Sequence, residues 1–351
     1  MIKPRKAIQR MKPYVPPLEG RRGKLRLDFN ENTLGCSPKA LKAVRKLSAQ
    51  DFATYPEYAL LRKKLASSLK VKPDEVIATN ATDEAIKLVM DTYVEKGDEV
   101  ILPVPTFAMF QFYIELADAK VKKVLYKKDL SFPTKKVLKA ITRKTRVVVL
   151  VDPNNPTGTP ILKKDIEGIV KKAKKTGTLV LLDEAYVQFS GKTSVRLVRK
   201  YDNLVVIQTF SKAYGLAGLR LGVIVSDKSN IANMSKAASP YSVNVVTVAA
   251  GIAALEDKAF VKRYVKENKE SKKILLAGLE EIGIKTFPST ANFVLADLGK
   301  KCMVVERKLE KKGILVRDRS QYPLLKGCLR ITIGSKNQTR KLLSALNEIL
   351  G

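Results

Sequence analysis

The 351-residue chain contains no histidine. That absence excludes Ser-His-Asp and Cys-His triads, histidine-ligated zinc and imidazole acid–base catalysis by its own side chains. Cysteine is scarce: Cys36, Cys302 and Cys328 lie far apart and form no C-x-x-C pair. They read as small buried hydrophobes of a reducing cytosol, not as staples or metal ligands. No apolar run approaches the roughly 18 residues of a membrane span. The basic opening "MIKPRKAIQRMKPYVPP" also lacks the apolar core of a secretion signal. A cytoplasmic protein with no metal and no membrane partner is expected.

Acidic residues are few as well, 34 against 66 lysines and arginines, a net charge of +32. Such an excess can mark a nucleic-acid binder. Here the basic residues recur along the whole chain, as in "LRKKL", "VKKVLYKK" and "VKKAKK", usually spaced by helix-period apolar residues. No helix-turn-helix, finger or RNP signature occurs. Solvated lysine faces are the simpler reading, with a diffuse field that gathers anionic small molecules. A nucleic-acid-binding protein is the contrasting class, and it predicts tight duplex or RNA binding with a steep salt slope.

What is present is an alternation of short β-branched runs with longer amphipathic helices. The runs are "EVIAT" (75–79), "EVILPVP" (99–105), "RVVVLVDP" (146–153), "TLVLLDEAY" (178–186), "NLVVIQTFSK" (203–212) and "LGVIVSD" (221–227). Continuous apolar strands joined through helices predict an α/β fold with a mostly parallel sheet covered on both faces. After about residue 240 long helices precede "TANFVLADL" and "CLRITIG", which reads as a smaller α+β domain. The expected division is a large domain over 33–240, with 1–32 as an arm joined to a small domain over 241–351.

In open α/β sheets, ligands bind beyond the carboxyl ends of the strands. Here "EVIAT" leads into Asn80-Ala81-Thr82-Asp83, and "RVVVLV" into "DPNNPTG". "TLVLL" leads into Asp183-Glu184-Ala185-Tyr186, and "NLVVIQ" into Thr209-Phe210-Ser211-Lys212. Four strands therefore empty a lysine, a carboxylate, an amide, a phenol and several hydroxyls into one crevice. A helix start near Thr82 offers backbone N–H groups to a phosphate. Lys212 stands alone in the glycine-punctuated "TFSKAYGLAGLRLG", near Arg220, so a lowered pKa and a Schiff base are expected. Asp183 follows four apolar residues, a costly place for a carboxylate without a cationic partner. A Schiff-base lysine together with an acidic or basic partner at the pyridine nitrogen is the pairing of pyridoxal-phosphate enzymes. The plainer readings are a surface lysine, a helix-capping acid and, for Asn155, a turn former.

The motifs "NNPTG", "DEAY" and "SKAYGLAGLRLG", in this order and spacing, resemble those of the class I/II pyridoxal-phosphate-dependent aminotransferases over nearly the whole chain. "LDFNEN", "TYPEY", "TDEAI", "ANFV", "GILVRD" and "CLRITIG" are more narrowly similar to the histidinol-phosphate branch of that family. The resemblance implies that Lys212 binds pyridoxal 5′-phosphate and shuttles a proton. It implies that Asp183 pairs with the pyridine N–H, that Asn155 and Tyr186 hydrogen-bond the ring oxygen, and that Phe107 stacks on the ring. The cofactor phosphate would sit among Ala81, Thr82, Thr209, Ser211 and Arg220. Tyr55 would reach that phosphate from a second subunit, making a homodimer part of the site. Arg330 would clamp an α-carboxylate bidentately. A buried Arg317 and Tyr14 of the arm would hold the distal end of the substrate. The implied reaction exchanges histidinol phosphate and 2-oxoglutarate for imidazole acetol phosphate and glutamate. An aromatic amino-acid aminotransferase and a threonine-phosphate decarboxylase of the same fold are the alternatives.

Overall fold

The computed structural model describes residues 2–351. A two-residue strand, β1 (Leu25–Arg26), comes first. Seven strands then build one sheet: β2 (Val76–Asn80), β3 (Glu99–Val104), β4 (Lys120–Leu125), β5 (Thr145–Val151), β6 (Leu179–Asp183), β7 (Leu204–Thr209) and β8 (Leu221–Ser226). Their spatial order is β2-β8-β7-β6-β5-β3-β4. All neighbours pair in parallel except β8, which runs against both β7 and β2.

The reason for the apolar runs is visible in β5. Val147, Val149 and Val151 enter the apolar core on one face of the sheet, and Val148 and Leu150 the core on the other. A strand covered on both faces alternates between two interiors instead of between interior and water. The segment "KVKKVL", read above as part of a lysine-rich face at helical spacing, is the edge strand β4, paired only with β3. Lysines on an outer strand discourage pairing with another chain, so the period there is two and not 3.6.

The second body holds a four-stranded antiparallel sheet. Its strands are β9 (Lys285–Phe287), β10 (Phe293–Asp297), β12 (Arg317–Asp318) and β13 (Cys328–Thr332), in the order β12-β13-β10-β9. Leu275 and Leu279 of the helix Lys258–Glu281 pack into its core. The strand β11 (Ile314–Leu315) pairs in parallel with β1, which stitches the N-terminal segment to this body. The helix Val245–Glu256 instead places Ala250, Ala254 and Leu255 in the core that contains Leu61 and Leu221. It therefore packs with the seven-stranded sheet, beyond the boundary expected at 240. The two bodies touch where the Thr290 N–H donates to the Gly158 carbonyl at 3.0 Å, on the turn that carries Asn155. Among the described residues no helix is long and apolar enough to cross a membrane.

Candidate active site

At the carboxyl ends of the parallel strands lies a cavity of about 680 Å³. It is lined by Lys212, Asp183, Tyr186, Asn155 and Phe107, and by the residues expected around a phosphate, Ala81, Thr82, Thr209, Ser211 and Arg220. Tyr14, Arg317 and Arg330 line it too. Tyr55 does not: it is exposed and stacks on the equally exposed Tyr241, ring centroids 4.5 Å apart.

Lys212 sits in the connection between β7 and β8, where Gly215 is left-handed at φ +71°. A Cβ at Gly215 would lie 2.1 Å from the Gly35 carbonyl oxygen, so the turn packs onto the N-terminal segment only with glycine there. The Lys212 amine donates to the Phe29 carbonyl at 2.9 Å. Burial, and then the guanidinium of Arg330, push its pKa down to about 8. The amine is thus partly neutral near physiological pH, as a nucleophile must be. Trace acylation of the cofactor-free protein, read by peptide mass spectrometry, is expected to label Lys212 with a midpoint near pH 8. A midpoint in the ordinary lysine range, about 10.4, would mean a solvated amine.

Asp183 ends β6 and is buried. The Ala185 N–H donates to its Oδ1 at 2.9 Å, yet burial pushes its pKa up to about 7. No lysine or arginine reaches it within ion-pair distance among the described residues. The carboxylate lacks the cation that would stabilise its charge.

The helix Ala81–Tyr93 starts at the cavity with no side-chain cap. Its first residue is left-handed, at φ +60°, with its N–H bonded to the Arg220 carbonyl at 2.9 Å. That approach needs Gly222, where a Cβ would lie 2.5 Å from the Ala81 carbonyl carbon. Beside the helix start, the Thr209 hydroxyl donates to Ser211 at 2.9 Å, both side chains buried. Arg220 closes the group but is engaged, donating to Asp83 at 2.7 Å.

Arg330 projects from β13. It donates through Nη1 to Asn155 Oδ1 at 2.6 Å and through Nη2 to the Asp28 carbonyl, while Nε has no partner. Burial and the neighbouring Arg319 push its pKa down to about 9. The Tyr186 hydroxyl accepts from Asn30 Nδ2 at 2.9 Å, which leaves its own proton free for donation. Asn30 belongs to "LDFNEN" but its role was not read from sequence. Also unread was Arg21, which donates to Asp28 and Glu31 and lies 4.0 Å over the Phe29 ring. The largest departure concerns the arginine strand. Arg317, expected to be buried, is half-buried over Phe29, and Arg319 is the buried one. The signal was present in "VRDR", since residues two apart on a strand share a face.

These features fit pyridoxal 5′-phosphate. An unpaired buried carboxylate suits a ring N–H, an uncapped helix start with two buried hydroxyls suits a phosphate, and a lysine of lowered pKa stands in the same cavity.

The family described as "Aminotransferase class I and II" matches residues 22–346. The chain belongs to this pyridoxal-phosphate-dependent family and is a transaminase. Within it, the chain is 39% identical over 360 residues to a histidinol-phosphate aminotransferase of Symbiobacterium thermophilum, covering 99% of this chain and 98% of that protein. It is 36% identical to the histidinol-phosphate aminotransferase of Moorella thermoacetica, covering 99% and 92%. The crystal structure of histidinol-phosphate aminotransferase from Sinorhizobium meliloti in complex with pyridoxal-5′-phosphate superposes with a TM-score of 0.90 at 27% identity, over 98% of this chain and 96% of that one.

Proposed function

We propose that this transaminase acts in histidine biosynthesis, exchanging histidinol phosphate and 2-oxoglutarate for imidazole acetol phosphate and glutamate. The observation that carries the reading is the placement of the buried, carboxylate-free guanidinium of Arg330 in one cavity with the Lys212 amine and Asp183. Such a guanidinium takes an anion held close to the amine-bearing carbon, the α-carboxylate of glutamate or the phosphate that an amino alcohol carries through its CH2–O link. The relatives named above support the choice of substrate.

When bound, pyridoxal phosphate supplies the electron sink that makes the substrate's α-proton removable. The chain supplies the rest. Lys212 Nζ takes that proton and returns it. Asp183 would hold a proton on the ring nitrogen. Tyr186 and the free amide nitrogen of Asn155 would donate to the ring oxygen, and Phe107 would pack on the ring. The Thr82 N–H, the Thr209 and Ser211 hydroxyls and Arg220, which donates to Asp83 in this structure, would hold the phosphate. Tyr14 and Arg317 border the substrate end.

The exposed pair Tyr55 and Tyr241, with Phe52 and Leu60 also exposed, supports a homodimer in which Tyr55 reaches the partner's cofactor phosphate. We set the division between the two bodies after Glu256, the last residue of the helix that packs with the large sheet. A cytoplasmic location follows from the composition and the reaction.

A half-reaction assay tests the substrate. Histidinol phosphate is expected to bleach the cofactor absorbance of the loaded protein far faster than phenylalanine or tyrosine. Faster bleaching by the aromatic amino acids selects the aromatic transaminase instead, and CO2 release from phosphothreonine the decarboxylase.

A further inference from the structure

The motif "ANFV" (291–294) enters β10 from a short loop, residues 289–292. The loop belongs to the second body but meets the active site at several points. The Thr290 N–H donates to the Gly158 carbonyl, and a Cβ at Gly158 would lie 2.2 Å from Ser289 Oγ. The loop therefore presses directly on the turn that carries Asn155. Asn292 Nδ2 donates at 3.1 Å to the carbonyl of Asn30, whose own side-chain amide reaches the Tyr186 hydroxyl. The Phe293 ring meets the Tyr186 ring edge-on at 5.2 Å, and the Arg330 guanidinium lies 5.5 Å over the Phe293 ring.

A lysine of the helix Lys258–Glu281 holds this loop. The Lys272 ammonium donates to the Ser289 carbonyl at 3.0 Å and to the Ala291 carbonyl at 2.6 Å. Among the described residues no backbone N–H reaches either carbonyl. No carboxylate there lies within ion-pair distance of the ammonium, and burial alone pushes its pKa down to about 8. A cation taken from water without a counter-ion costs stability, and an apolar side chain of the same length would fill the space more favourably. What the ammonium adds is direction. Charge-assisted bonds draw two carbonyls to one point and fix the loop between them.

Two short chains of contacts lead from Lys272 to the site. One runs through Ser289 and Gly158 to the turn of Asn155. The other runs through Ala291, Asn292 and Asn30 to Tyr186. Within the large body the turn is already tied, because Asn154 Nδ2 donates to the Pro105 carbonyl and to Thr157 Oγ1 at 2.9 Å each. From the second body, Asn155 is bounded by Arg330 and by this loop.

We propose that Lys272 is a positioning residue of this enzyme: from the second body it fixes the loop 289–292, and through that loop it sets Asn155 and Tyr186 against the cofactor's ring oxygen. The inference rests on the roles proposed above for those two side chains. It gives a function to a buried cation that lies outside the cavity and touches no reacting group.

The test uses the full-length, cofactor-loaded protein with Lys272→Met, which keeps the stem and removes the donors, and Lys272→Arg, which keeps two donors and the charge. Amide hydrogen exchange reads local opening. Lys272→Met is expected to speed exchange by about 10- to 100-fold in 289–293 and also in 154–159 of the large body, the loss that goes with a hydrogen bond from a charged donor. Lys272→Arg is expected to restore most of the protection. Donors to the ring oxygen favour its negative charge, so loosening them is expected to raise the pH midpoint of the lysine-linked cofactor absorbance by about half a unit to one unit. Lys272→Gln, a shorter donor, is expected to give a smaller change in both readouts and serves if the methionine variant does not fold. Exchange accelerated only within 285–297, or a midpoint that Tyr186→Phe moves and Lys272→Met does not, would overturn the proposal. A Tyr186→Phe midpoint equal to wild type would remove the ring-oxygen assignment instead, and exchange in 154–159 then still decides whether Lys272 fixes the site from the second body.

Discussion

Replacing Lys212 by alanine is expected to lower transamination by at least about ten thousandfold, with the fold preserved. The amine is the only basic side chain in the cavity that titrates near neutrality through its own burial, because the arginines stay protonated. On the function proposed above, its loss would remove both the covalent attachment and the group that carries the proton. Lys212→Arg separates charge from basicity. The guanidinium keeps the positive charge but cannot become neutral at working pH, so this variant is expected to be as inactive as alanine. A substantially active arginine variant would show that charge alone is what position 212 provides. Stability is not expected to suffer. A lysine whose folded pKa is depressed penalises the folded state at pH values below about 8, and that penalty vanishes only above the unfolded value. Alanine removes the penalty, so melting at pH 7 is expected at or above the wild-type temperature. The matching spectroscopic sign is loss of the lysine-linked cofactor absorbance.

Asp183→Asn is expected to lower the rate by about a thousandfold, since a preorganised charge aimed at the reacting system is worth that much in a dry site. The same substitution is expected to stabilise the cofactor-free protein. Burial pushes the carboxyl up to about 7, far above the ordinary aspartate range. The folded state therefore carries a penalty above pH 7, on the order of 4 kcal/mol, that fades as pH falls toward 4. Urea unfolding of the cofactor-free forms is expected to show the asparagine variant ahead at pH 8 and the gap closing by pH 4. Asparagine can still accept from the Ala185 N–H, so the turn after β6 keeps its bond. A variant that is less stable at pH 8 would mean that Asp183 already has a cationic partner.

Most of this site could be read from the sequence because its residues follow directly on apolar strands. Asp183 ends an apolar strand run, Asn155 and Lys212 lie a few residues past theirs, and a parallel sheet brings such ends to one edge. What could not be read depends on contacts between distant segments. Asn30 matters because it reaches Tyr186, 156 residues away. Arg319 looks like any other charge in "VRDR" until the hairpin turns it inward. The lysines of β4 mislead for a different reason: on an edge strand, half-exposed residues carry too weak an alternation to be told from a helical face. The reversed direction of β8 is likewise set by pairing and not by the composition of "LGVIVS".

That one reversed strand has a mechanical consequence. Because β7 and β8 are antiparallel neighbours, with Thr209 opposite Gly222, the segment bearing the lysine is an arch with both feet planted on adjacent strands. A crossover to a distant parallel strand would have left the lysine at the start of a long, one-footed excursion. The arch confines the amine before any ligand arrives, so little entropy remains to be lost when it is put to use.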